Sequence, residues 1–406
     1  MIQRIVITGL GVLSPIGIGH RSTWEGFLSG ASGIRPVRSL ASDGYNSNLG
    51  AEIHGFDAGD WMLNVDPGRI GRASQLAASA ARMALTDAGL DGVADSTRAG
   101  VAMGTTSGEP GEIENFDDCW LDEKPEAVRA DFVNRYRCNS IPEIVAAEVG
   151  FRGANIMIPT ACAAGNYAIA WAFDTLRAGG ADIMLAGGAD CFSRITYSGF
   201  SRLGAIAGER CRPFDRNREG MVPGEGSGVL VLETEAHART RGARIYGEIT
   251  GYGLSCDAHH MTGAHPEGDG AVRAMRQALD SAGHAPSEVS YISAHGTGTP
   301  TNDRIETAAV RRVFGEHADL LPMSSVKSMI GHTMGAASAI EAAVCSLAVT
   351  HDLVPPTINY SEPDPECDVD CVPNVARQMP VDLAMSNAYA FGGNNASLTI
   401  RKWAAV

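Results

Sequence analysis

Basic residues are scarce in this sequence. Of its 406 residues, 32 are Lys or Arg and 47 are Asp or Glu, so the formal net charge is −15. Because nucleic-acid binding draws on a surplus of positive charge, this deficit argues against nucleic acid as the main partner. It leaves room for an acidic partner that docks on a local basic patch.

The sequence also lacks a disulfide framework, a long apolar run and a signal peptide. Its nine cysteines are odd in number and scattered, which favours a reducing cytoplasm. No apolar run reaches the roughly 20 residues that cross a bilayer, so we expect a soluble protein without a membrane segment. Residues 1–9 predict a buried strand that enters a turn, without a cleavable leader. Cys367 and Cys371 have no second pair of ligands at zinc-like spacing, so we expect no metal there.

Cys162 stands out among the residues that are present. It follows an apolar strand (155–158) and a Pro-Thr turn, and it precedes small residues that predict a helix start. At a helix N-terminus, the macrodipole and free N–H groups favour a thiolate. His295 and His332 follow far downstream, each in a Gly-rich segment. One potential nucleophile with two separate histidines indicates covalent acyl chemistry.

The chain carries weak internal repeats in a consistent order. Residues 7–14 resemble 249–255, 84–89 resemble 278–283, 99–108 resemble 290–298, 156–162 resemble 321–327, and 224–233 resemble 391–400. Five matches in one order predict a duplication. Apolar runs such as 183–186 alternate with Ala-rich helical stretches such as 76–88, which predicts α/β units with mostly parallel sheets. Two nearby strand candidates at the end of each half predict an antiparallel edge.

Two similar halves packed face to face predict an α/β/α/β/α body of five layers. We place the halves at 1–245 and 246–406, with insertions at 32–67 and 109–142 that we expect at the mouth of a site or at a subunit contact. Gly9 and Gly11 imitate a dinucleotide fingerprint, but Ser14 replaces its third glycine. Because residues 251–253 repeat the same Gly-x-Gly pattern in the second half, we interpret Gly9–Gly11 as an element of the fold.

The sequence resembles the β-ketoacyl-acyl-carrier-protein synthases of the thiolase-like condensing-enzyme family. It is most similar to the synthase II type, which extends acyl chains. The resemblance spans essentially the whole length and is carried by Thr160-Ala-Cys162, 182–188, Arg212-Pro-Phe-Asp-Arg216, Gly224-Glu-Gly226, 257–262, His295-Gly-Thr-Gly-Thr299, Lys327 with Gly331-His332, and 387–393. It implies the thiolase-like fold and a decarboxylative Claisen condensation. In that reaction, malonyl carried on an acyl carrier protein lengthens an acyl chain on Cys162 by two carbons.

The resemblance also implies the roles of the central residues. Cys162 takes the acyl group, and the backbone N–H groups of Cys162 and Phe391 form an oxyanion hole. His295 and His332 donate from neutral imidazoles to the enolate oxygen that forms when malonyl loses CO2. The resemblance implies no cofactor of the enzyme itself, since phosphopantetheine arrives on the carrier protein.

Further residues are implied to support the chemistry. Lys327 keeps His332 neutral, and Glu306 pairs with Lys327. The remaining implied contacts are those of the pantetheine arm and substrate (Thr297, Thr299, Phe391, Ser107 and Met221), of a carrier-protein dock (Arg69 and Arg72), and of a structural monovalent cation found in some relatives (Glu341, Ser386 and Asn387). A charged helix start is an equally good explanation of Arg69 and Arg72.

Several positions depart from the usual fatty-acid synthase pattern. Met221 stands where an aromatic residue is common, Ser107 where an apolar gate is common, and 392–395 reads Gly-Gly-Asn-Asn. These changes preserve the reaction and leave the pathway open. The chain fits fatty acid synthesis as a homodimer, or a type II polyketide or polyene system paired with a homologous subunit that lacks the cysteine.

Two alternatives fit the sequence less well. A thiolase needs a second catalytic cysteine near the C-terminus, and the last cysteine here is Cys371, which is not in a Cys-Gly-Gly context. A non-catalytic chain-length subunit usually lacks the nucleophile, whereas this chain keeps Cys162, His295 and His332.

Overall fold

The computed structural model describes residues 3–41, 44–90, 92, 95–122, 124–128 and 130–404. The first two residues of the predicted N-terminal strand and parts of both predicted insertions lie outside the described residues. The strands are β1 (Ile5–Ser14), β2 (Gly17–Ile18), β3 (Arg35–Pro36), β4 (Leu49–Gly50), β5 (Ala99–Gly104), β6 (Asn155–Ile158), β7 (Ile183–Asp190), β8 (Gly226–Thr234), β9 (Gly247–Cys256), β10 (Tyr291–Ser293), β11 (Met323–Ser324), β12 (Leu353–Val354), β13 (Arg377–Gln378), β14 (Leu383–Tyr389) and β15 (Asn394–Lys402). The helices are α1 (His20–Leu28), α2 (Arg72–Ala88), α3 (Pro110–Leu121), α4 (Phe132–Arg135), α5 (Ser140–Val149), α6 (Ala164–Arg177), α7 (Arg194–Arg202), α8 (Glu235–Thr240), α9 (Asp269–Ala282), α10 (Pro300–Phe314), α11 (Lys327–Ile330) and α12 (Ala337–His351).

The two halves of the chain share one sheet topology. The strand order is β6-β5-β7-β8-β1 in the N-terminal half and β11-β10-β14-β15-β9 in the C-terminal half. In each half the first two neighbouring pairs are parallel and the last two are antiparallel. The five sequence matches fall on equivalent elements, from β1 and β9 to β8 and β15. The predicted duplication is therefore confirmed.

Helices form three layers around the two sheets. α6 and α12 lie between the sheets, where α12 contacts β8 of one half and β14 of the other. α2 and α5 cover the outer face of the first sheet, and α9 and α10 cover that of the second, with separate buried cores beneath them. Strand β1 pairs with β9 over Ile5–Ile7 and Gly247–Ile249, which joins the sheets at one edge. The predicted five-layer α/β/α/β/α body is confirmed, while the domain boundary after residue 245 stays a prediction.

Glycines in β1 and β9 let a helix lie directly on each strand. A Cβ atom at Gly11 would lie 1.9 Å from the carbonyl oxygen of Ala80 in α2. A Cβ atom at Gly253 would lie 2.0 Å from the carbonyl oxygen of Ala274 in α9. Since any side chain would push the helix off the strand, these glycines serve helix–sheet packing in both halves, as the sequence echo predicted.

Helix α12 is buried on all its faces. The segment Met334–His351 is long and apolar enough to cross a membrane, but 89% of it is buried inside the protein. A helix between two sheets must present apolar side chains in every direction, which accounts for this composition.

Candidate active site

Cys162 lies in a tight turn between β6 and α6. The turn is a short 3-10 helix, Ala161–Ala163, that runs directly into α6 at Ala164. Ala161 has a φ of 51°, in the left-handed region that non-glycine residues seldom adopt. This strained residue brings the chain round sharply enough to place the Cys162 side chain at the helix N-terminus, where the sequence predicted it.

The Cys162 side chain is a thiol at neutral pH. Burial raises the pKa of Cys162 to about 12. The Lys327 ammonium and the backbone N–H groups of Cys162 and Phe391 lower this pKa, and the Asp190 carboxylate raises it. The expectation of a resting thiolate is therefore wrong, because loss of solvation outweighs the favourable dipoles. The two N–H groups nevertheless lie within hydrogen-bonding reach of the sulfur, and the oxyanion hole stays a prediction.

Both predicted histidines share one cavity with Cys162. His295 follows β10 and His332 follows α11, so the C-terminal half supplies both rings. The ring centroids of the two histidines lie 5.5 Å apart at an interplanar angle of 82°. Together with Cys162 they line a cavity of about 230 Å³. The structure thus brings the nucleophile of one half to the imidazoles of the other.

Both imidazoles are neutral. Burial lowers the pKa of His332 well below its usual value, and the nearby Lys327 charge lowers it further. Burial, Lys327 and His332 do the same to the pKa of His295. The Nδ1 atom of His332 accepts a hydrogen bond from the Met334 N–H at 3.1 Å. A neutral ring that accepts at Nδ1 carries its proton on Nε2, so His332 is left with an N–H donor.

The ion pair of Lys327 differs from the one that the resemblance implied. Lys327 donates to Glu341 of α12, and both side chains are buried. Glu306 instead accepts from the backbone N–H groups of His295 and Gly296 at 2.9 and 2.8 Å. Because those two bonds occupy its carboxylate, Glu306 holds the His295 loop. The predicted Glu306–Lys327 pair is wrong, and Glu341 takes that place.

Two buried carboxyl groups, Glu341 and Glu306, have pKa values of about 7. Burial raises the pKa of Glu341 to about 7, against the opposing effect of Lys327. Burial likewise raises the pKa of Glu306 to about 7, against the two backbone N–H donors.

Four of the five predicted substrate contacts line the cavity. Thr297, Thr299, Met221 and Phe391 are among its lining residues, and the hydroxyl oxygens of Thr297 and Thr299 lie 2.9 Å apart. Ser107 lies outside this lining. Its N–H donates to Asp190 and its hydroxyl contacts Thr196.

Two glycines with positive φ shape the loop that carries Phe391. Gly392 and Gly393 have φ values of 82° and 77°. A Cβ atom at Gly393 would lie 2.9 Å from the Cβ of Asp257. Asp257 accepts a 2.8 Å hydrogen bond from the side chain of Asn395. The loop is thus tied to the end of β9, and the Phe391 side chain, 39% exposed, stands at the cavity mouth.

Some lining residues escaped individual prediction. The sequence singled out the segments 257–262 and 387–393, but not which of their side chains face the substrate. The structure adds Tyr389, Asn395 and Phe200 to the lining. Phe200 sits 5.6 Å from Phe391, ring to ring, and belongs to α7, which no motif marked. Membership of the 387–393 motif was the one sequence signal for Tyr389.

Asp190 connects the two halves beside the nucleophile. It accepts from the Thr105 hydroxyl at 2.9 Å and from the N–H groups of Thr106, Ser107 and Gly335 at 2.8, 2.9 and 2.7 Å. Burial raises the pKa of Asp190 to about 6, and these donors oppose the shift. The carboxylate therefore fixes the turn before α12 against the loop after β5.

The two predicted docking arginines have different surroundings. Arg72 donates to Glu225 at 3.0 Å and lies over the Phe56 ring. Arg69 is exposed, and its side chain forms no ion pair within the described ranges. Arg72 is thus half-buried and paired with a carboxylate of its own chain, and Arg69 stays the better docking candidate.

The proposed cation ligands make contacts with protein groups. Glu341 pairs with Lys327, Asn387 accepts from the Ser397 hydroxyl at 2.7 Å, and Ser386 accepts from Asn166. Among the residues that the structure describes, no group of three or more His, Cys, Asp or Glu is placed to hold a metal ion. The monovalent cation stays a prediction.

Known proteins resemble this chain along its whole length. A model of the beta-ketoacyl synthase N-terminal domain matches residues 3–238, and one of the C-terminal domain matches residues 246–361. A 3-oxoacyl-[acyl-carrier-protein] synthase 2 of Staphylococcus aureus (strain N315) is 41% identical over 411 residues, which cover 99% of this chain and 99% of the relative.

Two solved structures superpose closely. The ishigamide ketosynthase/chain length factor has a TM-score of 0.96 and 42% identity, with 100% of both chains covered. A type II PKS acyl-carrier protein in complex with its ketosynthase bound to the hexaketide has a TM-score of 0.91 and 33% identity, with 100% of both chains covered.

Proposed function

This chain belongs to the beta-ketoacyl synthase family, and from that premise we propose a role for each group in its cavity. The enzyme is a β-ketoacyl-acyl-carrier-protein synthase that lengthens an acyl chain by two carbons in a decarboxylative condensation with malonyl. The observation that carries the residue assignments is the shared cavity of Cys162, His295 and His332.

In the first stage Cys162 receives the acyl chain. Its sulfur attacks the carrier-bound thioester, a new carbon–sulfur bond forms, the old one breaks, and the thiol proton leaves with the pantetheine sulfur. Negative charge develops on the thioester oxygen during the attack. The N–H groups of Cys162 and Phe391, which already point at this sulfur, stabilise that charge. One such donor contributes about 3–4 kcal/mol to the barrier in comparable enzymes.

In the second stage malonyl loses CO2 and the new carbon–carbon bond forms. The bond between carboxylate and methylene breaks, CO2 leaves, and the electron pair enters an enolate whose oxygen lies against His295 and His332. The enolate carbon then attacks the acyl carbonyl on Cys162. The carbon–sulfur bond breaks, and the sulfur takes up a proton. Two neutral donors suit this step, because they stabilise the enolate without first having to give up a proton.

The acyl carrier protein is the partner that delivers both thioesters and the phosphopantetheine arm. One similar structure contains a carrier protein in complex with its ketosynthase. Thr297 and Thr299 line the cavity with a hydroxyl pair that suits the amides of a pantetheine arm. Exposed Arg69 suits an acidic carrier, because a basic group on an acidic protein steers such a partner. We place the reaction in the cytoplasm, since all nine cysteines are free thiols.

A second subunit of the same fold is the other partner we propose. Strand β6 ends the sheet order, so its outer edge is available for pairing. Beside it in the chain, the insertion 109–142 carries an aromatic stack in which the rings of Phe116 and Phe132 lie 4.8 Å apart and those of Phe132 and Tyr136 lie 4.9 Å apart. Trp120 extends this stack and is 64% exposed. An apolar face of this kind marks a protein contact.

The pathway is the open part of the proposal. The 41% identical 3-oxoacyl-[acyl-carrier-protein] synthase 2 supports fatty acid synthesis, for which we propose a homodimer. The type II PKS ketosynthase at 33% identity supports a type II polyketide or polyene system, and the ishigamide ketosynthase/chain length factor at 42% supports pairing with a chain-length subunit. The observation that favours the second system is the polar Ser107, held by Asp190 and Thr196 where an apolar gate is usual. Co-expression with a Cys-lacking homologue would give a stable heterodimer in the polyketide case and leave a homodimer in the other.

Intact-mass measurement tests the nucleophile. The protein is incubated with a panel of acyl-carrier thioesters, and we expect one acyl group per chain in the wild type and none in Cys162→Ala. Cys256→Ala is the matched control, since Cys256 is the exposed cysteine beside the Phe391 loop. A mass gain that persists in Cys162→Ala would contradict the assignment.

A further inference from the structure

Tyr389 carries a buried hydroxyl group without a hydrogen-bond partner in the described part of the chain. The side chain is buried, lines the cavity, and its oxygen makes no hydrogen bond to any described residue. A buried hydroxyl without a partner destabilises a protein unless something supplies one. Because the hydroxyl belongs to a cavity-lining residue, the bound substrate is the natural source of that partner.

The surroundings of Tyr389 make it a hydrogen-bond donor. Burial raises the pKa of its phenol well above the usual value, and the charges of Glu306 and Asp257 act in the same direction. The group is therefore protonated at neutral pH. Its ring lies 5.7 Å from the His295 ring in an edge-on arrangement. The missing partner is thus an acceptor in the cavity that Tyr389 and His295 line together.

The substrates offer a small set of acceptors near this point. The oxygen of the acyl group on Cys162 lies at the N–H groups of Cys162 and Phe391. The thioester oxygen of malonyl lies at the two histidines. The acceptor left without a donor in that arrangement is the malonyl carboxylate. We propose that the Tyr389 hydroxyl binds the malonyl carboxylate, an inference that rests on the proposed roles of His295 and His332.

A neutral donor is the appropriate partner for a carboxylate that must leave as CO2. The described lining residues include no Lys or Arg, and the nearest buried cation, Lys327, is paired with Glu341. An ion pair would stabilise the carboxylate strongly in the ground state and so oppose its loss. One hydroxyl orients the group, and that hydrogen bond weakens as negative charge moves to the enolate. Tyr389 thus acts in substrate binding and contributes little to the transition state.

The test is Tyr389→Phe, which removes the oxygen alone. We expect the KM for malonyl-carrier to rise roughly tenfold to a hundredfold, the value of one hydrogen bond to a charged group, with kcat equal to or above that of wild type, because the lost bond stabilises the ground state more than the transition state. Acylation of Cys162, measured separately by intact mass, should be unchanged, so the proposed nucleophile is tested independently. The unliganded variant should melt at the same temperature or higher, because it loses an unpartnered polar group.

A matched control and a second ligand sharpen the result. Tyr246→Phe also removes a buried hydroxyl group. Tyr246 lies just before β9, at the opposite end of that strand from Asp257, and its hydroxyl donates to Asp87 at 2.8 Å. It should lower stability and leave the KM for malonyl-carrier unchanged. Carrier protein loaded with acetyl, which lacks the carboxylate, should inhibit wild type and Tyr389→Phe equally. An unchanged KM, a fall in kcat of tenfold, or weaker inhibition by acetyl-carrier in Tyr389→Phe would each overturn the proposal.

Discussion

Ala161 and Met334 have nearly the same positive φ angle at equivalent positions of the two halves. Their φ values are 51° and 53°, and each opens the 3-10 turn that leads into a central helix, α6 or α12. The residue that follows is Cys162 in the first turn and Gly335 in the second. The N–H of Cys162 points at the reacting sulfur, whereas the N–H of Gly335 donates to Asp190. One turn carries the reacting group, and the other is tied through Asp190 to the loop after β5.

Gly335→Ala should destabilise the protein. A Cβ atom there would lie 2.7 Å from an Asp190 oxygen and 2.7 Å from the carbonyl carbon of Thr105, so a cost of about 1–3 kcal/mol is expected in urea denaturation. Gly111→Ala in α3 is the control, because its Cβ would meet nothing within 4 Å. Equal stability of Gly335→Ala and wild type would mean that this turn is not rigid.

Lys327→Met should lower the free energy of unfolding by about 3–5 kcal/mol, because it leaves Glu341 buried without its cation. The double variant Lys327→Met/Glu341→Leu should recover most of that stability. It should not recover condensing activity, because His332 then lacks the positive charge that helps to keep it neutral. Chemical denaturation and a coupled condensation assay would measure the two effects. Full activity in the double variant would remove Lys327 from the mechanism.

The buried His332 should make stability depend on pH. Its folded-state pKa lies below the unfolded value of about 6.5, so as the pH falls below 6.5 the unfolded chain binds a proton that the folded protein excludes. Wild type should therefore lose stability relative to His332→Asn below pH 6.5, with a slope that approaches about 1.4 kcal/mol per pH unit. Above that pH the difference should be constant. Parallel stability curves of the two proteins from pH 7.5 to 5 would show that His332 titrates normally.

Arg69→Glu should weaken docking of the carrier protein without affecting the fold. We expect a KM for acyl-carrier several-fold higher at low salt, and a difference that shrinks in about 0.5 M salt as the charges are screened. Arg72→Glu should behave differently, because it places a carboxylate against buried Glu225 and so lowers thermal stability. If Arg69→Glu leaves the KM unchanged at low salt, the dock lies elsewhere.

The fold could be predicted from the sequence because the duplication shows in short-range sequence patterns. Gly11 and Gly253, the turn before Cys162, and the strands that lead to both histidines are short-range patterns, and the layers follow from them. Cys162, His295 and His332 could also be predicted from the sequence, because their residue type and Gly-rich setting mark them.

The tertiary contacts of the site residues could not be predicted from the sequence in the same way. Lys327 could have paired with Glu306 or Glu341, and the choice depends on Glu306 being occupied by the N–H groups of its own loop. The protonation of Cys162 depends on how completely the fold excludes water, which no motif reports. Phe200 reaches the cavity mouth only through the placement of α7.

The position of α12 has a consequence for folding. This helix is encoded after residue 245, yet it contacts β8 and β7 of the first half as well as β14 and β15 of the second. A fragment that ends before it would expose the inner face of its sheet, and a fragment that begins at residue 246 would carry an apolar helix with one side bare. Neither half could bury α12 and its own sheet alone, so each would need a second copy or the other half to cover the exposed apolar surface.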